Sequence, residues 1–191
     1  VAIYFGCANA ENAERCLREY ATDDFTADWG ARIIGKRNLM FNPQGYHQGS
    51  VWPLFTGWAS LAEFRAGREV QGYMHAMSTL MGYQHGAAGF IEEVLHGETF
   101  KPAGVCSHQA WSESMVLQPL LEGMIGARID PMNGELTLRP WIPPQWKSAS
   151  FSNIRCGKSK VHLNMFRSGL TTVFKIKTSQ SSPVDVLLQV P

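Results

Sequence analysis

Apolar residues in this chain recur at helical spacing up to about residue 130 and at a spacing of two beyond it, so no single type of secondary structure accounts for the whole. In the first part, Ala13, Cys16, Leu17 and Tyr20 form one stripe of a helix over Asn9 to Ala21, with Asn9 as a plausible N-cap. Pro53 suits the first turn of a helix that runs to about Ala66 and stops at Gly67. A further helix over Glu69 to Met81 is weakened by Gly72. The last, over His108 to Ile125, carries Trp111, Met115, Leu120, Leu121 and Met124, and Pro119 should kink it or shift its start. Two long segments rich in Gly, Asn and aromatic residues, Thr22 to Trp52 and Gly82 to Ser107, separate these helices. Loops of that length in a compact domain are commonly functional, and stacked helical hairpins would gather both at one end.

Beyond Gly126, a short strand begins at Glu135 and leads into the Pro-rich stretch that ends at Trp146. Ser159 to Phe166 and Leu170 to Thr178 alternate around the turn RSG as a hairpin, and Val184 to Val190 reads as one more strand. The formal net charge of +1 and the absence of a Lys/Arg run argue against a nucleic-acid surface or a polybasic membrane anchor, so a neutral partner is expected. No apolar run reaches the roughly 20 residues of a membrane span, and the start lacks the pattern of a signal peptide. Cys7, Cys16, Cys106 and Cys156 form no C-x-x-C pair, so neither a zinc site nor a disulfide framework is indicated. Free thiols fit a soluble chain in a reducing compartment, with the cytoplasm preferred. A start at Val suggests a piece of a longer protein.

Three strings, DWGARII (Asp28 to Ile34), GYHQGSVWPLFTGW (Gly45 to Trp58), and GFIEEVLHGETFKP followed by SHQAWSESM (Gly89 to Pro102, Ser107 to Met115), occur in this order. Together they resemble the six-hairpin glycosidases, and more narrowly the bacterial glycogen-debranching or amylo-α-1,6-glucosidase-like proteins. GELTLRPWIPPQW is similar to the passage from the last barrel helix into a C-terminal β-sandwich in those proteins and in bacterial α-L-rhamnosidases. The resemblance implies a mainly α segment of helical hairpins over residues 1–130, the last third of an (α/α)6 toroid with about four of its twelve helices. A small antiparallel β-sandwich-like domain over 131–191 would follow. In such enzymes the general acid comes from the first half of the barrel, to which no residue here corresponds.

Glycoside hydrolysis needs two carboxyl groups, one to protonate the leaving oxygen and one to activate water or attack carbon. Glu92 and Glu93 are adjacent in a His-rich loop flanked by glycines. The resemblance places the general base in a pattern that Glu93-Val94-Leu95-His96-Gly97-Glu98 fits, which implies Glu93, or Glu92 if the register is off by one. Tyr46, His47 and Trp52 precede Pro53 and suit a sugar, whose C–H faces take flat rings and whose hydroxyls take polar neighbours. A His satisfied by a carbonyl and a Trp in the core is the ordinary alternative.

Trp29 and Arg32 follow the same logic, Arg32 either orienting a carboxylate by a bidentate contact or pinning the loop through Asp28 or Asp24. Gln109 and Trp111 point to the same end, although Trp111 also fits core packing with Met115. His47, His96 and His108 lack the spacing of a metal site, and neither a metal nor another cofactor is called for. Ser50 and Ser112 lack a nucleophile-elbow pattern. The expected function is part of an inverting exo-glycosidase acting on α-linked glucosides. Alternatives are an α-L-rhamnosidase-type fragment or a non-catalytic carbohydrate-binding fragment. The expected partners are an oligosaccharide or polysaccharide substrate, and the remainder of the parent chain or another copy.

Overall fold

The structure is a computed structural model that describes residues 1–179 and 183–189. It divides into two compact units, Val1–Gly123 and Met124–Pro191. The first is helical with short strands, and the second is built from two small sheets.

In the helical unit, α1 (Ala10–Tyr20) starts where the Asn9 side chain accepts the Asn12 N–H at 2.8 Å, which satisfies one of the donors a helix leaves open at its start. Helix α2 (Pro53–Arg65) opens on its proline, and Gly67 leaves it at φ +75°, a conformation that costs glycine little. Helix α3 (Glu69–Met81) packs against α2. Its Gly72 makes the close approach possible: the Phe64 ring would lie 2.8 Å from a Cβ there, and the Ser60 hydroxyl donates to the Gly72 carbonyl at 2.5 Å. A poor helix former is kept here for packing.

The last helix departs from expectation. Helix α4 is confined to Ala110–Gln118 and is followed by a π-helical turn, Pro119–Met124. Proline has no N–H to donate to the carbonyl four residues back, so the α ladder is interrupted at Pro119 and the chain widens. Met115 of α4 lies against Gly57 of α2. Nor are the two long segments wholly irregular. The first contains a tight hairpin of β1 (Thr26–Ala27) and β2 (Gly30–Ala31), and the second opens with a 3-10 turn, Gly82–Gln84.

In the second unit, β3 (Arg128–Asp130) and β4 (Glu135–Leu138) pair antiparallel, and β8 (Asp185–Leu188) adds to β4 in parallel, Leu136 opposite Val186. The expectation of an antiparallel domain is therefore corrected: this sheet is mixed. Its β4-to-β8 connection contains the other sheet, β5 (Ser148–Cys156), β6 (Ser159–Ser168) and β7 (Thr171–Ser179), which is antiparallel throughout. A parallel pair needs such a long crossover.

Strands β3 and β5 escape a periodicity reading, β3 because it is only three residues long. In β5 a register shift between Phe151 and Ile154, with Asn153 at φ 63°, changes which alternate residues face inward. Val161 and Leu163 of β6 join Leu136, Leu138, Ile154 and Cys156 in an aliphatic core. Of the strand anticipated over Val184 to Val190, Val190 lies outside the described residues. Among the described residues no helix is long and apolar enough to cross a membrane.

Candidate active site

The two long loops are knitted together by backbone hydrogen bonds. Val51 and Leu95 exchange bonds in both directions, at 2.9 and 2.8 Å, and Gly97 N–H donates to the Pro43 carbonyl at 2.7 Å. Gly97 sits so close to the Gly49 carbonyl that any Cβ would collide with backbone. The Glu93 N–H donates to Cys106 O at 2.9 Å, and the Gln109 N–H to Ile91 O at 3.0 Å. The glutamate pair is thus held between a strand-like bridge and the start of α4.

Glu93 is 7% exposed and accepts a hydrogen bond from the Tyr46 hydroxyl, 2.6 Å from phenol oxygen to Oε1. This bond, reinforced by burial, pushes the Tyr46 phenol up to about 12, so it remains a proton donor to Glu93 across the neutral range. Tyr46 is itself fixed from behind. Its carbonyl accepts from the Trp52 indole at 2.9 Å and the Ser50 hydroxyl at 2.7 Å, and its ring meets Trp52 edge-on at 4.6 Å. His47 is exposed and stacks on Trp52, with centroids 5.5 Å apart and planes 9° from parallel. Glu92 is 6% exposed, and burial raises its carboxyl pKa, partly offset by His85. The two neighbours therefore differ in surroundings: Glu93 has a tyrosine donor, and Glu92 has chiefly a desolvated setting.

The other anticipated residues fall into distinct places. Trp52 is 4% exposed, so it belongs to the core and leaves no ring face open to a sugar, His47 being stacked on it. Arg32 is buried and donates to three backbone carbonyls, Gly97 at 2.6 Å, Asp23 at 3.0 Å and Asp24 at 3.5 Å. The anticipated contact with a carboxylate, catalytic or structural, is corrected by this: Arg32 ties the Asp23 turn to the turn after Glu93, while the Asp24 carboxylate pairs with Arg37. Burial holds the Arg32 guanidinium pKa below its ordinary value against the pull of Glu98, Asp23 and Asp24.

Trp29 donates its indole N–H to His96 O at 3.0 Å and stacks on Phe100 at 6.1 Å, which supports the same turn. Gln109 is half-buried at the N-cap of α4. Trp111 is 41% exposed, which overturns the core packing with Met115. Contacts bring Tyr46, His47, Trp52 and Glu93 together, with Trp29 and Arg32 beneath the following turn.

Sequence reasoning did not single out Cys106 or Phe90. The Cys106 carbonyl anchors the Glu93 backbone, and Phe90 meets the His108 ring at 4.0 Å, His108 in turn facing Glu113 at 3.0 Å. The crowding of histidines around that loop was the only signal for them.

Helices feeding two interlocked loops, with a buried carboxylate under a tyrosine whose neighbour His47 is exposed, suit a glycoside hydrolase, and the comparison with known families agrees. Residues 16–118 match the model of the family described as amylo-alpha-1,6-glucosidase, and the chain belongs to that family. The matched segment contains the whole Tyr46–Glu93 cluster and ends at the last residue of α4. No curated protein matches the chain significantly.

Proposed function

We propose that this chain supplies the general base and the aromatic sugar-binding loops of an inverting exo-glycosidase acting on α-linked glucosides, with Glu93 as the base. The observation that carries the reading is the short hydrogen bond from Tyr46 to Glu93 inside the interlocked loops. A base must keep one carboxylate oxygen aimed at water while the other is held. The Tyr46 hydroxyl occupies Oε1, which leaves Oε2 to take a proton from water as that water attacks the anomeric carbon.

Inversion follows if the acid stands on the opposite face, with the two carboxyl groups about 6.5–9.5 Å apart. The acid then protonates the leaving glycosidic oxygen as the C–O bond breaks, and the product carries the opposite anomeric configuration. In this reading the acid comes from residues outside the 191 of this chain, and the helices of residues 1–130 form the last third of an (α/α)6 toroid. Residues 131–191 would be its sandwich-like C-terminal domain. His47 and Trp111 offer exposed rings to the sugar, and Trp52, Trp29 and Arg32 hold the loops that carry Tyr46 and Glu93. The family match weighs toward glucosides over rhamnosides.

The test is a pair of substitutions in an enzyme containing the whole barrel. Glu93→Gln lowers kcat on the order of 10²-fold or more, and Glu92→Gln is much milder. A reversed order makes Glu92 the base. Proton NMR of the first-formed sugar distinguishes inversion from retention. The isolated chain turns over neither an aryl α-glucoside nor a branched α-glucan, and turnover above the Glu93→Gln control overturns the assignment of the acid to other residues.

A further inference from the structure

The charge of the chain is unevenly divided. Residues 124–191 hold nine Lys and Arg against three Asp and Glu, and no acidic residue occurs between Glu135 and Asp185. The near-zero net charge of the whole conceals this, and the strand register shows where the excess lies. Val161, Leu163, Phe174 and Ile176 turn toward the core, so Lys160, His162, Asn164 and Phe166 of β6 share the outer face with Lys175 and Lys177 of β7. Arg155 of β5 stands opposite Lys160, Lys177 opposite His162, and Lys175 opposite Asn164. The result is a diagonal track, Arg155, Lys160, Lys177, Lys175. Its steps follow spacings of about 4.8 Å between strands and roughly 6.7 Å along them.

Among the described residues, none of these four cations has an acidic partner. The track ends at Phe166, which is 49% exposed and lies 5.6 Å from the Lys175 ammonium. Lysines on the edge strand β7 serve in general to prevent sheet-to-sheet aggregation. That does not account for Lys160 on the central strand, nor for the like charges of Arg155 and Lys160 side by side, an arrangement that destabilises a sheet.

We infer that this sheet face binds an anionic polysaccharide, an α-glucan chain bearing phosphomonoester groups, with the cations on the phosphates and Asn164 and Phe166 against the sugar. The choice of a glucan rests on the function proposed above. It is also favoured over nucleic acid because the face offers a single exposed aromatic ring and not a series on which bases could stack.

The experiment uses the full chain and three probes: a phosphorylated α-glucan, the same glucan after phosphatase treatment, and a neutral maltooligosaccharide. The phosphorylated glucan binds at least about 10-fold more tightly than its dephosphorylated form at low salt, and the preference shrinks steeply as salt is raised. The exposed double variant Lys175→Glu/Lys177→Glu loses the preference while circular dichroism and maltooligosaccharide binding stay unchanged. Arg155→Gln, which relieves the like-charge pair, weakens phosphoglucan binding and raises Tm. Equal affinity for the two glucans, a preference that survives in the double variant, or tighter binding of a single-stranded oligonucleotide each overturns the inference. The neutral probe tests the loop site separately, since its binding depends on Tyr46 and His47. Loss of that dependence with the phosphate preference intact refutes the loop reading alone, and the reverse pattern refutes the sheet face alone.

Discussion

Helix α2 and strand β6 each run through the middle of their unit, yet they are buried by different means. Strand β6 puts Val161, Leu163 and Met165 inward, an apolar row that excludes water, with Ser159 at its start as the one buried polar residue of the strand. Helix α2 buries Thr56, Ser60 and Glu63 alongside Leu61, Ala59 and Ala62. Each of those polar groups holds something: the Thr56 hydroxyl oxygen accepts the Ala31 N–H at 2.9 Å, Ser60 bonds to Gly72, and Glu63 lies 2.7 Å from His75 Nδ1.

His75 also reaches the hairpin. The Thr26 hydroxyl donates to Tyr20 O at 2.7 Å, so its oxygen accepts from His75 Nε2–H at 3.2 Å. The helical core therefore positions loops as well as excluding water, whereas the sheet core chiefly excludes water. Buried polar networks specify geometry because an unpaired member is costly.

The most severe way to break this contrast is Glu63→Ala. It removes one member of a buried hydrogen-bonded pair, leaves His75 Nδ1 without its partner and opens a cavity, and should destabilise by about 3–5 kcal/mol in urea unfolding. A loss no larger than that of an exposed residue would mean that the pair positions nothing. Leu163→Ala in the sheet core should cost about 2–5 kcal/mol through lost burial and a residual cavity. In the protein that remains folded, maltooligosaccharide binding should be unaltered, and a matching loss of binding would erase the distinction between the two cores.

A smaller effect is expected from Tyr46→Phe, which removes one hydrogen bond and keeps the ring, for a loss of about 1 kcal/mol. The sharper readout is spectrophotometric titration: Tyr4, Tyr20 and Tyr46 are all pushed up to about 12, and the amplitude of that late phase should fall by one phenol in the variant. The finest test concerns Glu92. Its folded pKa is raised, so the stability due to its neutral form is fully present below the unfolded value of 4.5 and is lost as pH rises through the folded pKa. Glu92→Gln stays neutral throughout, so its Tm should gain on the parent between pH 4 and pH 7. A constant difference would mean that Glu92 is not desolvated as the structure places it.

Much of the helical framework was legible because its signals are local. Asn9, Pro53, Gly67 and the stripe of α1 act within a turn or two, and α3 spans the anticipated residues. Where the anticipated elements failed, a non-local or phase-changing feature intervened. The bulge in β5 hid its alternation, and Pro119 converted the end of α4 into a π turn. The roles of Arg32 and Trp52 could not be read because exposure depends on what another segment covers.

Sequence alone was enough to place the four helices and the β6–β7 hairpin, to separate the two textures, and to name the chemistry available in the loops. Those follow from periodicity, capping and side-chain type, which act over a few residues. Only the tertiary structure decided that Tyr46 would hold Glu93 and that Arg32 would take carbonyls instead of a carboxylate. It also decided that four cations from three strands would share one face. Each of these joins residues far apart in the chain, and hydrogen-bond geometry, strand register and burial exist only once the intervening segments have packed.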